Sequence, residues 1–506
     1  MPKKLPIFYS ALLLTGVNLL LRLVGTSFQV YISGRIGAAG VGLLQLTMSV
    51  GSLAMVTGIA GVRTAAMYLT AEELGKKRPG NVTWVLSGCF VYSILCSTAV
   101  AAALYLLAPM LAENWIGDVR TVNSLRLFAA FLPVSCLCGV MTGYFTAANR
   151  IGTLAAVEAA EQLCSMVVTM VVLTLWAGDD PGRACQSVVM GGCFGACLTL
   201  CCLMLLRLAE RVKPGPKIPV RSRLLQAAVP LAMADVLKSG ISTTENLMVP
   251  KRLALNSLID SPLAAFGVVS GMVFPVLMFP ACILFGLAEL LIPELARCSA
   301  AGSKQRISYL VRRSLRTAML YGIVFSGLEF LLAEGLCSSL YHNAEAGRWL
   351  RLYALLIPML YCDAITDAMT KGLGQQKVCV RYNIITNSMD VLFLYFLLPK
   401  YGMQGYFFSF FITHLVNFIL SLRRLLIITK ETIPFSVPAL SVAAALAAGW
   451  GASRFDSPVL RAGAYPVVLG CLMCLFGVLG REDVAWLKGL LRGKTIPKVR
   501  TLSKSA

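Results

Sequence analysis

Apolar stretches of about 20 residues follow one another from residue 5 to residue 479, separated by short polar breaks. Each is long enough to cross a hydrocarbon core of ~30 Å as a helix. Inside lipid no water can satisfy the backbone, so a crossing segment must be a helix or part of a closed barrel. Barrel strands alternate in segments of about ten residues, a pattern this chain lacks. The sequence therefore predicts an all-α integral membrane protein with about fourteen transmembrane helices. Only 14% of its 506 residues are charged and 57% are hydrophobic, which leaves no room for a large soluble domain.

The net charge of +21 would suggest nucleic acid in a soluble protein. Here the 45 Lys and Arg residues gather in short loops between apolar segments. With both termini in the cytoplasm, loops on that side carry roughly threefold more of them than the outer loops. This predicts a multi-pass protein of the cell membrane with an even number of spans and no nucleic-acid partner. Lys3 and Lys4 precede an apolar run that is too long for a cleavable signal, so it is expected to remain as the first helix. The 17 cysteines lie mostly within apolar segments. Cys471 and Cys474 are read as small packing residues rather than a redox or metal pair. His342 and His414 are too few and too far apart in sequence to suggest a metal site.

An internal repeat is visible. Arg126-Leu-Phe-Ala-Ala-Phe-Leu-Pro133 is echoed by Arg351-Leu-Tyr-Ala-Leu-Leu-Ile-Pro358, at an offset of 225 residues. The same offset lays Gly42 on Gly267 and Gly61 on Gly286. The expected organisation is two pseudo-symmetric six-helix bundles plus two C-terminal helices. Residues 1–207 form an N-lobe, 208–223 a basic cytoplasmic linker, and 224–430 a C-lobe. Residues 431–480 hold helices 13 and 14. A basic tail at 481–506, with Trp486, Leu487, Leu490 and Leu491 interleaved, suits a membrane surface. Two parallel repeats are the architecture of alternating-access carriers, with a substrate site between the halves. Pro133, Pro230, Pro275, Pro280 and Pro358 remove backbone donors inside membrane helices and are expected to kink them.

Ionisable side chains in a membrane helix cost several kcal/mol, so each is a candidate for function. In the first helix Thr15, Asn18, Arg22, Thr26 and Gln29 recur at helical spacing and share one face. In the seventh, Asp235, Lys238, Ser242 and Glu245 do the same. The two helices open the two halves, so their stripes are expected to face a common wet cavity. Asn18, Arg22, Gln29, Arg63, Lys238 and Glu245 are the candidates for binding substrate. Asp235, Glu158, Glu161, Asp363, Asp367, Asn387 and Asp390 are the candidates for lining the cavity or coupling an ion. Gln162, Ser165 and Thr169 continue the face of Glu158, Thr370 that of Asp363, and Asn383 that of Asn387. Arg63 and Glu289 lie near the cytoplasmic ends of the second and eighth helices. An i,i+3 ion pair between Asp235 and Lys238, and snorkelling of Arg63, are the structural alternatives. Arg22 sits near mid-span without an acidic neighbour on its own helix. A guanidinium there suits a diphosphate, because its fork donates two parallel hydrogen bonds and stays charged.

Arg22-Leu-Val-Gly25 and Gly34-Arg-Ile-Gly-Ala-Ala-Gly-Val-Gly-Leu-Leu-Gln-Leu46 resemble the start of polysaccharide-type flippases of the multidrug/oligosaccharidyl-lipid/polysaccharide exporter superfamily. Gly143-Tyr-Phe145, Asn149-Arg150 and Glu161-Gln162 make the chain similar to the stage V sporulation protein B group. The resemblance covers the first twelve helices well and the last two only by position. It implies two lobes that alternate between inward and outward openings and carry a lipid-linked oligosaccharide to the outer leaflet. Arg22 matches one arginine of the cationic cavity of lipid II flippases in this superfamily. A second arginine, six residues later in those proteins, is Phe28 here. The sporulation group is linked to spore cortex peptidoglycan, which makes a peptidoglycan precursor the leading cargo.

The leading expectation is a flippase for an undecaprenyl-diphosphate sugar, with no cofactor. Na+, H+ or the membrane potential would couple it, and cell-wall synthesis enzymes would be its partners. A cation-coupled multidrug antiporter of the same superfamily is the alternative, with Asp235, Glu245 or Asp363 binding the ion. A membrane scaffold is the alternative of another class. The outer loops are short and lack the acidic or His/Arg clusters of an enzyme acting on diphosphates.

Overall fold

The computed structural model describes residues 7–178, 180–210, 215–216, 219–431 and 436–478, without the side chains of residues 7–19, 22, 151, 289, 290 and 436. The basic tail at 481–506 lies outside the described residues, as do residues 211–214 and 217–218 of the linker. Among the described residues the chain is all helix and turn. Residues 7–36 (α1) and 38–75 (α2) are continuous except where Gly37 takes φ 68 and ψ 175. α2 pauses at Ala60 and Gly61, then runs on as Val62–Gly75, well past Arg63, near which its cytoplasmic end is expected. There follow α3 (Asn81–Met110), α4 (Val122–Ala147), α5 (Ile151–Val172), α6 (Pro181–Ala209) and α7 (Val220–Leu253). α3 and α5 continue as π-helical turns, Leu111–Ile116 and Leu173–Ala177.

α8 comprises Pro262–Leu277 and Ala281–Ala300, bent by 66°. α9 is Lys304–Tyr341. α10 comprises Ala344–Ala354 and Ile357–Gly372, bent by 58°. Residues 376–401 (α11) and 403–429 (α12) meet at Gly402. α13 (Ser436–Ala452) and α14 (Pro458–Leu475) complete the chain. Nine helices among the described residues are long and apolar enough to cross a membrane, and eleven with the two bent pairs. Two of the nine are double, broken at Gly37 and Gly402, and α13 is shorter. The architecture is therefore that of the expected protein with about fourteen spans.

The helices pack as two compact units, Met1–Met272 with Asn387–Tyr406, and Val273–Thr386 with Phe407–Ala506. In the first, Val62, Leu69, Val85, Met141, Leu203 and Ala228 join α2, α3, α4, α6 and α7 in one core. In the second, the α13–α14 hairpin packs on α9 through Ile323, Ala444, Ala448, Tyr465 and Leu469. The Tyr465 hydroxyl donates to the Ile323 carbonyl at 3.3 Å, and its ring fills the space beside Gly327. Lipid gives helices no hydrophobic reason to associate, so such contacts of small residues and side-chain hydrogen bonds hold them together.

The 225-residue offset reappears in the backbone. Left-handed residues fall in matched pairs: Lys77 with Gly302, Gly117 with His342, and Asn149 with Gly374. Asp118 and Asn343, next along, are both extended N-caps whose side chains accept a backbone N–H. Arg120 hydrogen-bonds Asp118 and holds that loop carboxylate below its ordinary range. The Arg126 guanidinium lies 5.1 Å from the Tyr105 ring centre, and Arg351 lies 5.0 Å from that of Phe330. Both members of each pair are related by the same offset. One pair read from sequence does not match in the backbone. Gly61 is left-handed where α2 pauses, whereas α8 breaks earlier, at 278–280, where Pro280 lacks a donor.

The prolines act unequally. α4 carries Pro133 and α7 carries Pro230 without a break. Bends above 40° occur beside Pro280 and Pro358. At the first of these a side chain enters the helix ladder. The Tyr361 hydroxyl donates to the Leu277 carbonyl at 3.1 Å and accepts from the Ala281 N–H. It occupies the place of the 281-to-277 bond that an unbroken helix would make, a recognised cause of a sharp bend.

Candidate functional site

Three polar clusters are built from these helices. In the first unit, α7 and residues 387–406 bring Glu245 and Asp390 into a carboxyl–carboxyl hydrogen bond. Asp390 is 6% exposed, and buried Tyr406 lies beside both acids. Two carboxyls can bond this way only with a proton between them, and a small cation can take that proton's place. One turn of α7 is fixed to α2 here. Thr243 donates to the Ser49 carbonyl at 3.2 Å, and Asn246 to the Ser49 hydroxyl at 3.0 Å. Asn387 is half-buried one turn before Asp390. The other half of the α7 stripe behaves differently. Asp235 and Lys238 are exposed and no ion pair joins them, so a structural i,i+3 bridge is not formed.

The second cluster lies on α1, α2 and α5. Gln29 donates from α1 to the Gly271 carbonyl at 3.2 Å, in the π-helical turn Val268–Val273 of α8. Such single π turns leave carbonyls free to accept side-chain donors. Gln162 donates from α5 to the Leu21 carbonyl at 3.1 Å. Arg63 and Glu158 are exposed and near enough to feel each other's charge. Glu161 turns to α6 instead, where its Oε2 accepts from Thr199 at 2.7 Å. Asn18 and Arg22 lie on the described α1 backbone, but their side chains, like that of Glu289, lie outside the described residues.

The third cluster is a cavity of about 220 Å³ in the second unit. Asp363, Asp367, Asn383, His414 and Asn417 line it. Asn417 donates to Asp363 Oδ2 at 3.0 Å, and Lys371 pairs with Asp367 at 2.5 Å. Thr370 does not join them. It is buried and donates to the Thr366 carbonyl.

Sequence reasoning missed Tyr406, His414 and Asn417. His414 and Asn417 are three residues apart on α12, so a search for a polar face there would have found them. Tyr406 carries no periodic signal. At the end of α2, Arg223 donates to Glu73 at 3.0 Å and to Glu72 at 2.7 Å, while Asn81 also donates to Glu73. These residues at helix ends too were outside the expected site.

An all-helical membrane protein with acids and amides collected on broken and π-interrupted helices is the class this architecture defines. The family model described as polysaccharide biosynthesis protein matches residues 39–259, and the one named MatE matches residues 230–396. Stage V sporulation protein B of Bacillus subtilis (strain 168) is 20% identical over 411 residues, which is 78% of each chain. The structure titled lipid II flippase MurJ, inward closed conformation, aligns at a TM-score of 0.73 and 13% identity. The match covers 94% of this chain and all of that one. An inward-facing multidrug resistance MATE family transporter of the MOP superfamily aligns at 0.64 and 12% identity, over 83% of this chain and all of that one. The chain shares the fold of these two transporters, and its parts are similar to the polysaccharide biosynthesis protein and MatE families.

Proposed function

We propose that this chain is a flippase that moves an undecaprenyl-diphosphate-linked oligosaccharide or peptidoglycan precursor from the cytoplasmic to the outer leaflet. The observation that carries the reading is the pairing of two likenesses. The polysaccharide biosynthesis model matches most of the first half, and a lipid II flippase matches 94% of the chain. Charge on the loops supports both termini in the cytoplasm. In this reading the two repeats rock as lobes, and Arg22, Arg63 and Lys238 meet the diphosphate while the lipid tail stays in the bilayer. Asn18, Gln29 and the acids Glu158 and Glu161 line the path of the sugar. Glu245 and Asp390 hold the coupling proton or sodium ion, and Asp235 lies on the same helix.

The test is flipping in proteoliposomes that contain the purified protein and undecaprenyl-diphosphate sugars, lipid II among them. Protein-dependent movement that is lost in Arg22→Ala, with folded protein retained, supports the flippase and its diphosphate contact. Wild-type rates in that variant remove Arg22 from the mechanism.

A cation-coupled multidrug antiporter is the second reading. The MatE match at 230–396 contains Glu245, Asp363 and Asp390 together, which favours it. Dye efflux driven by a proton or sodium gradient, without lipid flipping, would decide for it.

A further inference from the structure

The cavity at Asp363 is built wholly within the second unit, from α8, α10, α11 and α12. Its polar wall is rich in acceptors. The Asn417 Nδ2 reaches both Asp363 oxygens, at 3.0 and 3.3 Å. This bond orients the amide, because turning it over would set its carbonyl oxygen against the carboxylate. The Asn417 Oδ1 is then fixed as an acceptor, and it is buried with no donor among the described residues. His414 gives its Nδ1 proton to the Phe410 carbonyl at 3.0 Å, and its ring stacks on Phe410 with centroids 3.9 Å apart. A neutral imidazole held in that tautomer presents Nε2 as a further acceptor. Lys371 is engaged by Asp367 at 2.5 Å, so Asp363 keeps an amide partner rather than an ion pair.

A wall of buried acceptors calls for a ligand that brings donors, since a buried group left unmet costs about 1–3 kcal/mol. Size and the remaining lining choose among such ligands. An apolar cavity of about 150 Å³ takes a benzene ring. This cavity, at about 220 Å³, has room for one six-membered ring with its hydroxyl groups, whereas a metal ion would leave most of it empty. Phe285 of α8 and Tyr361 of α10 contribute an aromatic side. An aromatic face suits the C–H side of a sugar ring, while planar carboxylates and amides suit its neighbouring hydroxyls.

We propose that the Asp363 cavity is a sugar-recognition pocket that takes one pyranose ring of the cargo headgroup, with Asp363 and Asn417 as the pair that determines specificity. This deepens the flippase reading and rests on it for the identity of the cargo. Asp363 accepts from one hydroxyl and the Asn417 Oδ1 from its neighbour, and the bond between the two side chains sets their spacing. Phe285 packs against ring carbons. A ring that lacks either hydroxyl is rejected, because it leaves a buried acceptor unpaired.

The experiment is saturation-transfer NMR on the purified protein in phospholipid nanodiscs, with free glucose and N-acetylglucosamine as probes. Sugar-headed detergents are left out because they would compete. Wild-type protein should transfer saturation to the ring protons of at least one probe, and Asn417→Leu should reduce the signal on the order of tenfold. No transfer in wild type, or equal transfer in wild type and folded Asn417→Leu, overturns the proposal. Should Asn417→Leu fail to fold, Phe285→Ala removes the apolar contact instead: a lost signal supports the pocket and an unchanged one overturns it. Methylammonium is the competing probe. Transfer to its methyl group that is lost in Asn417→Leu, with none to either sugar, makes this a cation site and overturns the sugar assignment. Flipping is measured separately. Sugar binding without flipping keeps the pocket and removes the flippase, and flipping without sugar binding does the reverse.

Discussion

Gly42 and Gly267 occupy matching places in the two repeats and pack against each other. A side chain added at Gly42 would run into the Leu263 carbonyl, and one added at Gly267 into the Ala38 carbonyl. Ala38 and Leu263 are themselves repeat mates. The contact is therefore reciprocal, as at a two-fold interface, although it lies within one chain. Only hydrogen fits at either site, so α2 and α8 approach with backbone touching backbone.

Gly42→Ala is expected to force this crossing apart at a cost of about 1–3 kcal/mol. Thermal unfolding in lipid nanodiscs measures it. Gly34→Ala, on the same stretch but with open space around it, is the control and should not destabilise. Equal melting temperatures for both variants would contradict a tight crossing.

The Glu245–Asp390 bond makes a prediction about coupling. Glu245→Gln and Asp390→Asn should each weaken the response of transport to a proton or sodium gradient, by roughly tenfold or more. Acids that share one ion act as a unit, so the double variant should be no worse than either single one. Additive losses in gradient-driven flux would show that they act separately.

Arg223→Ala leaves Glu73, 3% exposed, without its cation at the end of α2. The expected loss of stability is about 1–3 kcal/mol. Glu72→Ala removes only the more exposed partner and should cost less than ~1 kcal/mol. Chemical denaturation in detergent separates the two. An equal cost would mean that burial of Glu73 is not what matters.

Gly327→Ala places a methyl group against the Tyr465 ring and should weaken docking of the α13–α14 hairpin on α9, by about 1–3 kcal/mol. In a Tyr465→Leu background the same change should cost much less, because the obstructing ring is gone. Thermal melts of the four proteins form the cycle. A penalty unchanged by Tyr465→Leu would place the strain elsewhere.

Much of this protein was legible from residues alone. Long apolar segments dictate helices, because lipid forbids an unsatisfied backbone, and the 225-residue echo of Arg126–Pro133 announced the repeat later found in backbone angles. Helical spacing also placed Glu245, Asp390, Asp363 and Asp367 on polar faces. Spacing along one helix cannot say which neighbouring helix a face meets. Only the tertiary structure decided that Glu245 meets Asp390 while Asp235 and Lys238 stay apart, and that Glu161 turns to Thr199. It alone showed that Tyr361 enters the ladder of α8 and that Asn417 of α12 is fixed against Asp363 of α10. The physical reason is that lipid constrains each segment independently through its own backbone, whereas pairing between segments depends on contacts between residues far apart in the chain.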